Sequence, residues 1–199
     1  MIIRAVLFLF FMTTNIATSF AVDPILLNCI ETPKILKLDD KPTQFSLSNN
    51  LRRKTGSPEN IAGELIHIVG RVTDASCLPV QNAVVFMWHK GKQIDNLSGK
   101  FITDNLGYYH FITIMPDIHT GQAPYINFIV QHPDFLKFTT QMFFADYNDK
   151  NCNDPVLKDF LENGLASLLI APVSYRKQNV KTYTFNITLE GYNKYIAKR

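Results

Sequence analysis

The chain has 199 residues, with 20 basic and 17 acidic side chains, a formal net charge of +3 and 46% hydrophobic residues. That balance excludes a disordered chain and leaves no electrostatic footprint for nucleic acid. The length suits one domain with a sizeable core, and 15 Phe and 8 Tyr against 1 Trp lean toward strands.

In chain order, the first segment reads as an export signal. Arg4 supplies a positive start, Ala5 to Met12 an apolar run, and Ser19-Phe20-Ala21 small residues where a signal peptidase cuts. Cleavage after Ala21 is expected, and Thr13, Thr14 and Asn15 break the apolar run before it reaches spanning length. The mature chain is then exported, periplasmic or secreted, and not held in a membrane. Residues 22–62 read as an irregular arm, with Gly56-Ser57-Pro58 as a loop. The basic run Leu51-Arg52-Arg53-Lys54 reads as a solvated loop.

Glu64 to Thr73 alternates, with Ile66, Ile68, Gly70 and Val72 on the apolar side, as a half-buried strand does. Asn82 to Trp88 is expected to be a second strand. A short loop follows, up to Phe101. Asp104-Asn105-Leu106-Gly107 is a turn signal ahead of a strand over Tyr108 to Ile114. Tyr125 to Gln131, Phe135 to Phe144 and Lys181 to Leu189 complete the strands. One helix is expected after the core strands: Asn153 or Asp154 caps it, Pro155 opens it, and Gly164 sits just past its end. In it Val156, Phe160 and Leu161 share a face, with Leu157 at its border. The boundaries are 1–21 signal, 22–62 arm, 63–192 domain and 193–199 tail, and the class is mostly β, a β-sandwich.

Cys29, Cys77 and Cys152 lie too far apart in sequence for a CxxC zinc pattern. In an oxidising compartment the arm's Cys29 is expected to pair with Cys77 or Cys152, leaving one thiol. The histidines at 67, 89, 110, 119 and 132 form no HExxH, and GxSxG and P-loop motifs are absent. His110, between Tyr109 and Phe111, reads as a packed strand residue and His67 as a surface one. Asp39-Asp40 reads as a solvated pair, and the sequon Asn186-Ile187-Thr188 as a chance match within a strand.

Particular strings carry a resemblance. Gly70-Arg71-Val72-Thr73-Asp74 and Leu78-Pro79-Val80-Gln81-Asn82-Ala83-Val84-Val85-Phe86-Met87-Trp88 match one signature in order. Thr103 to Pro116 is similar to a "TD-xGxYxFxTI-P" segment, and Thr140 to Phe144 to "TQLYF". Asn50-Leu51-Arg52-Arg53, Cys29-Ile30-Glu31-Thr32-Pro33 and Tyr183 to Gly191 add flanking matches. In this order they resemble the intradiol ring-cleavage dioxygenases, from about residue 29 to 191. The resemblance implies a β-sandwich carrying one ferric iron, held by two Tyr and two His, that opens a catechol ring with O2 while an Arg stabilises charge. A catechol-like small molecule, and a second copy or a paralogous subunit, are the partners it implies.

The ligand strings depart from that pattern. Against the family's "RPAHIHF", this chain has Gln122-Ala123-Pro124-Tyr125-Ile126-Asn127-Phe128. Tyr125 and Asn127 stand where the two His belong, Gln122 replaces the Arg, and His119 takes about the place of one ligating Tyr. The loop after Trp88 offers no Tyr for the other. A set of one phenol, one imidazole and an amide suits ferric iron poorly, so no cofactor is expected. Three functions follow: a catalytically silent binding or structural module, a ligand-poor subunit of a heteromeric dioxygenase, or an active dioxygenase with rearranged ligands.

Overall fold

The computed structural model describes residues 29–53, 59–91, 94–118, 121–175 and 180–192. Residues 1–28, on which the expected signal falls, His119 and the 193–199 tail lie outside the described residues. Among the described residues, ten strands form two five-stranded sheets: β1 Leu65–Thr73, β2 Val84–Gly91, β3 Ile94–Ile102, β4 Tyr108–Ile114, β5 Tyr125–His132, β6 Phe135–Phe144, β7 Ile170–Ala171, β8 Val173–Tyr175, β9 Lys181–Thr184 and β10 Ile187–Thr188. One sheet runs β3-β2-β5-β6-β7. In the other, β4 pairs antiparallel with one edge of β1, and β9 and β10 lie in succession, parallel, along its other edge. Two short helices, α1 Asn148–Asn151 and α2 Pro155–Leu161, follow β6.

The alternation of β1 explains the sandwich. Ile66, Ile68, Gly70 and Val72 are buried, while Leu65, His67, Val69 and Arg71 are half-buried on the other face. Val85 and Met87 of β2, Phe128 and Val130 of β5, and Tyr109 and Phe111 of β4 meet them in one core. Fully burying such a side chain contributes about 1.5–3 kcal/mol, so these inward rows dominate the fold's stability. The Asp104 carboxylate accepts from the Leu106 and Tyr108 amides at 2.9 and 2.8 Å, and Gly107 takes φ +78°. That turn delivers β4 in register with β1, Arg71 opposite Tyr108.

Three local expectations need correction. The stretch before Phe101 is not a short loop but β3, hairpinned to β2; its Asp95, Asn96, Ser98 and Gly99 are poor strand formers, and pairing with β2 overrides them. The strand over 181–189 is broken between Thr184 and Ile187, where the exposed Asn186 turns its Oδ1 to accept from the Arg71 amide at 3.1 Å. The sequon asparagine thereby fills a gap in the ladder. His110 is exposed: Tyr109 and Phe111 point into the core, so the residue between them points out, against the Phe101 ring at 4.7 Å.

Helix α2 is capped as its residues demand. The Asp154 carboxylate accepts from the Val156 and Leu157 amides, Pro155 opens the helix, and Gly164 at φ +69° receives its end. The Leu165 amide donates to Phe160 and that of Gly164 to Leu161, a Schellman closure. Leu157, not the Val156–Phe160–Leu161 face, is its fully buried residue; Leu161 is exposed. The helix rests Leu157, with half-buried Val156 and Phe160 beside it, on a small second cluster with Ile35, Phe143 and Leu169.

The arm is a belt. Cys29 is bridged to Cys77 in the turn after β1, and Cys152 is an exposed free thiol. From there Thr32 exchanges hydrogen bonds with Thr188, Pro33 accepts from the Thr140 hydroxyl, and Ile35 pairs with Thr139. The chain then crosses the outer face of the β3-β2-β5-β6-β7 sheet, pairs Ser46 with the β3 edge at Gly99 and Asn49–Leu51 with the β4 edge at Ile112. It thus covers the outer face of one sheet and a free edge of each, limiting edge-to-edge pairing.

Candidate functional site

Tyr125 and Asn127 lie on the outward face of β5, under this belt. Inward-pointing Ile126 and Phe128 fix that direction, because successive side chains alternate. Asn127 sits between Trp88 of β2 and Gln141 of β6 in register. Its Oδ1 accepts from Gln141 Nε2 at 2.9 Å, and both side chains are buried. Tyr125 is half-buried, its ring 6.1 Å from that of Phe143. Burial, and then the nearby Asp39 and Asp40 carboxylates, push its phenol pKa above the usual value. The surroundings therefore favour the neutral phenol over a phenolate.

The loop that leads to Tyr125 is held by a buried carboxylate. Asp154 caps α2 with Oδ1 and accepts from the Ala123 amide with Oδ2 at 2.9 Å. The 121–124 loop, with half-buried Gln122, is thereby tied to the helix before the chain enters β5.

Trp88 is fully buried, packed edge-on by Phe45 at 5.8 Å, and its Nε1 donates to the Asp39 carbonyl at 3.1 Å. Lys90 pairs with Asp40 at 2.6 Å, both side chains close to half exposed. His89, next to both on the same strand, points the opposite way. Its Nδ1 lies 3.0 Å from the Lys90 carbonyl and its Nε2 2.7 Å from Thr113 Oγ1. A carbonyl can only accept, so Nδ1 carries the proton and Nε2 accepts from the threonine hydroxyl. Burial lowers the imidazole pKa to about 4, so the ring is neutral at pH 7 with both nitrogens occupied.

Asp39, Asp40, Trp88, Lys90, Tyr125 and Asn127 are among the walls of a cavity of about 10 Å3. A cavity of that size holds about one water, whereas a benzene ring fits in roughly 150 Å3. Two sequence-predicted positions, Tyr125 and Asn127, are thus brought to one site, with Gln122 in the loop that leads to it. His119 falls outside the described residues, and among those described no three His, Cys, Asp or Glu side chains group to hold a metal. Sequence reasoning missed Trp88, Lys90 and the arm residues above them. The only sign was the crowding of Trp88-His89-Lys90 at the end of a strand.

At the same end of the sandwich, between the sheets, the Asp146 carboxylate accepts from the Tyr183 hydroxyl and from Lys181 Nζ at 2.9 Å, and Lys181 also reaches Glu64 at 3.1 Å. Burial, then the bond to Asp146, raises the Tyr183 pKa. This network clamps the segment after β6 to β9.

A family model described as "Dioxygenase" matches residues 42–191. A Rickettsia typhi protein described as a "Putative dioxygenase" is 28% identical over 213 residues, covering 92% of this chain and 94% of its own length. A Rickettsia conorii protein of the same description is also 28% identical, with the same coverage. Among solved structures, an intradiol ring-cleavage dioxygenase from Tetranychus urticae superposes with a TM-score of 0.66 at 16% identity, over 83% of this chain and 98% of that one. Catechol 1,2-dioxygenase from Pseudomonas arvilla C-1 gives a TM-score of 0.59 at 19% identity, over 84% and 65%.

Proposed function

Because the chain belongs to the intradiol ring-cleavage dioxygenase family, we propose that it keeps the family's β-sandwich as an exported binding or structural module and does not open catechol rings with ferric iron. The observation that carries this reading is the state of the two described residues at family ligand positions. Burial and the Asp39 and Asp40 carboxylates raise the Tyr125 phenol pKa and so disfavour the phenolate, and Asn127 has its side-chain oxygen engaged by Gln141. Ferric iron is a hard cation that is kept by anionic oxygen and free imidazole donors. His89, the nearest described imidazole on the strand beside them, has both nitrogens occupied. These donors do not fit the metal, and no catalytic step is assigned to it.

The cavity's size supports the same reading. With the arm in place the cavity, at about 10 Å3, has no room for a catechol ring alongside an ion. Protein expressed with added iron is expected to be colourless, with iron far below one per chain and no ring opening of catechol or protocatechuate. Elemental analysis and one visible spectrum are the check. Stoichiometric iron with a visible band that vanishes in Tyr125→Phe would refute the proposal.

Export rests on the apolar Ala5–Met12 run and the Ser19-Phe20-Ala21 site. Mass spectrometry of the periplasmic or secreted fraction is expected to find Val22 at the N-terminus. Folded protein that retains Met1 in the membrane fraction would contradict it.

A further inference from the structure

We infer that residues 36–44 form a strap that swings off Trp88 as a unit, latched by the Lys90–Asp40 ion pair, and that this motion is the access route to the Tyr125–Asn127 cavity. The inference rests on where the cavity lies and what walls it. It holds whether or not any metal binds.

The two ends of the strap are anchored far more firmly than its middle. At one end Ile35 is buried, its amide donating to the Thr139 carbonyl at 2.9 Å and its carbonyl accepting from the Thr139 hydroxyl at 2.6 Å. At the other, the Phe45 ring packs edge-on against Phe86 at 4.9 Å and Trp88 at 5.8 Å. Between them Leu36 is 85% exposed, and Lys37, Asp39, Asp40 and Lys41 are exposed too. Leu38, half-buried against the Leu157 cluster, is the strap's apolar contact. Segments with few buried apolar contacts between firm anchors open at lower cost than the sheets beneath them.

Two features concentrate the hold at the apex. The Asp39 carbonyl takes the hydrogen bond of the Trp88 indole, and the Asp40 side chain takes Lys90. Asp40 itself adopts φ +50°, a left-handed conformation that Asp tolerates better than most residues. Asp39 and Asp40 also wall the cavity, so lifting the apex removes that side of it. With the strap down there is space for about one water. With it up, the outward row of Trp88, Tyr125 and Asn127 faces solvent.

The chain has a single tryptophan, so its one indole N–H signal reports the strap directly. Hydrogen exchange of that proton by NMR, in the full folded protein, tests the inference. The indole proton should exchange well ahead of the slowest strand amides, since the strap opens without unfolding the sandwich. Lys90→Gln and Asp40→Asn should each speed it about two- to fivefold, the range expected for an exposed ion pair, and the double variant no further. Raising the salt should speed the wild-type exchange toward that of the variants and leave the variants unchanged. An indole proton that exchanges only with the slowest strand amides, in wild type and variants alike, would overturn the strap. A rate above those amides but indifferent to Lys90→Gln and Asp40→Asn would overturn the latch.

Discussion

Gly70→Ala is expected to cost about 3 kcal/mol of folding stability or more, although it adds a single methyl group. A Cβ at position 70 would lie 1.8 Å from the Phe185 carbonyl oxygen and 2.7 Å from the Tyr109 hydroxyl. Neither neighbour can easily retreat. The Phe185 amide donates to the Val69 carbonyl at 2.8 Å, and its own carbonyl accepts from Tyr109 at 2.6 Å inside the core. Phe185 therefore belongs to the backbone bridging β9 and β10, and moving it would break the parallel ladder on that edge of β1. The gain from a stiffer unfolded chain, about 0.4–1 kcal/mol for Gly→Ala at an unstrained site, is too small to offset this. Gly164→Ala provides the contrast. Its site has open space around it but φ +69°, so only the left-handed penalty of roughly 1–2 kcal/mol applies. Urea denaturation checks both: the midpoint should fall much further for Gly70→Ala, with the slope unchanged if the denatured state is unaffected.

Between pH 6.5 and pH 4 the protein should lose about 3 kcal/mol of stability through His89 alone. Burial places its pKa at about 4 in the folded protein, against 6.5 in the unfolded chain. Above pH 6.5 the ring is neutral in both states and contributes no slope. As pH falls below 6.5 the unfolded chain takes up a proton that the folded one refuses, and stability drops by about 1.36 kcal/mol per unit until roughly pH 4. Protonation in the folded state would also cost the bond from Thr113, because Nε2 would become a donor facing a hydroxyl that already donates to it. Carboxyl groups of the unfolded chain take up protons in the lower part of this window as well. The comparison is therefore with His89→Gln, which should be less stable at pH 7 but show a shallower decline. Stability curves at half-unit steps give the result; parallel slopes for the two proteins would show that His89 is not the titrating group.

Sequence by itself determined the elements that bury one face. β1 stands almost where its alternation placed it, because period-two patterning records which side of a strand meets the core, and β4, β5 and β6 stand where runs of aromatic and β-branched residues were read as strands. The α2 boundaries followed from Asp154, Pro155 and Gly164, since caps act over only a few residues. The ordered strings around Gly70 and Asp104 pointed to the family for a similar reason: tight approaches and turns admit few side chains. Tertiary structure alone decided the rest. Strand β3 forms because β2 supplies its partners, not because Asp95 or Gly99 favour extension. Cys29 meets Cys77 rather than Cys152 because the belt starts beside the turn after β1, through the Cys29 amide bond to Ala75. At the site, sequence located Tyr125 and Asn127 but not what lies above them. Asp39 reaches Trp88 across 49 positions of chain, and Gln141 reaches Asn127 across 14. Patterning shows which way a side chain points. What covers that face depends on where a distant, unpatterned segment comes to rest, and only the packed chain settles that.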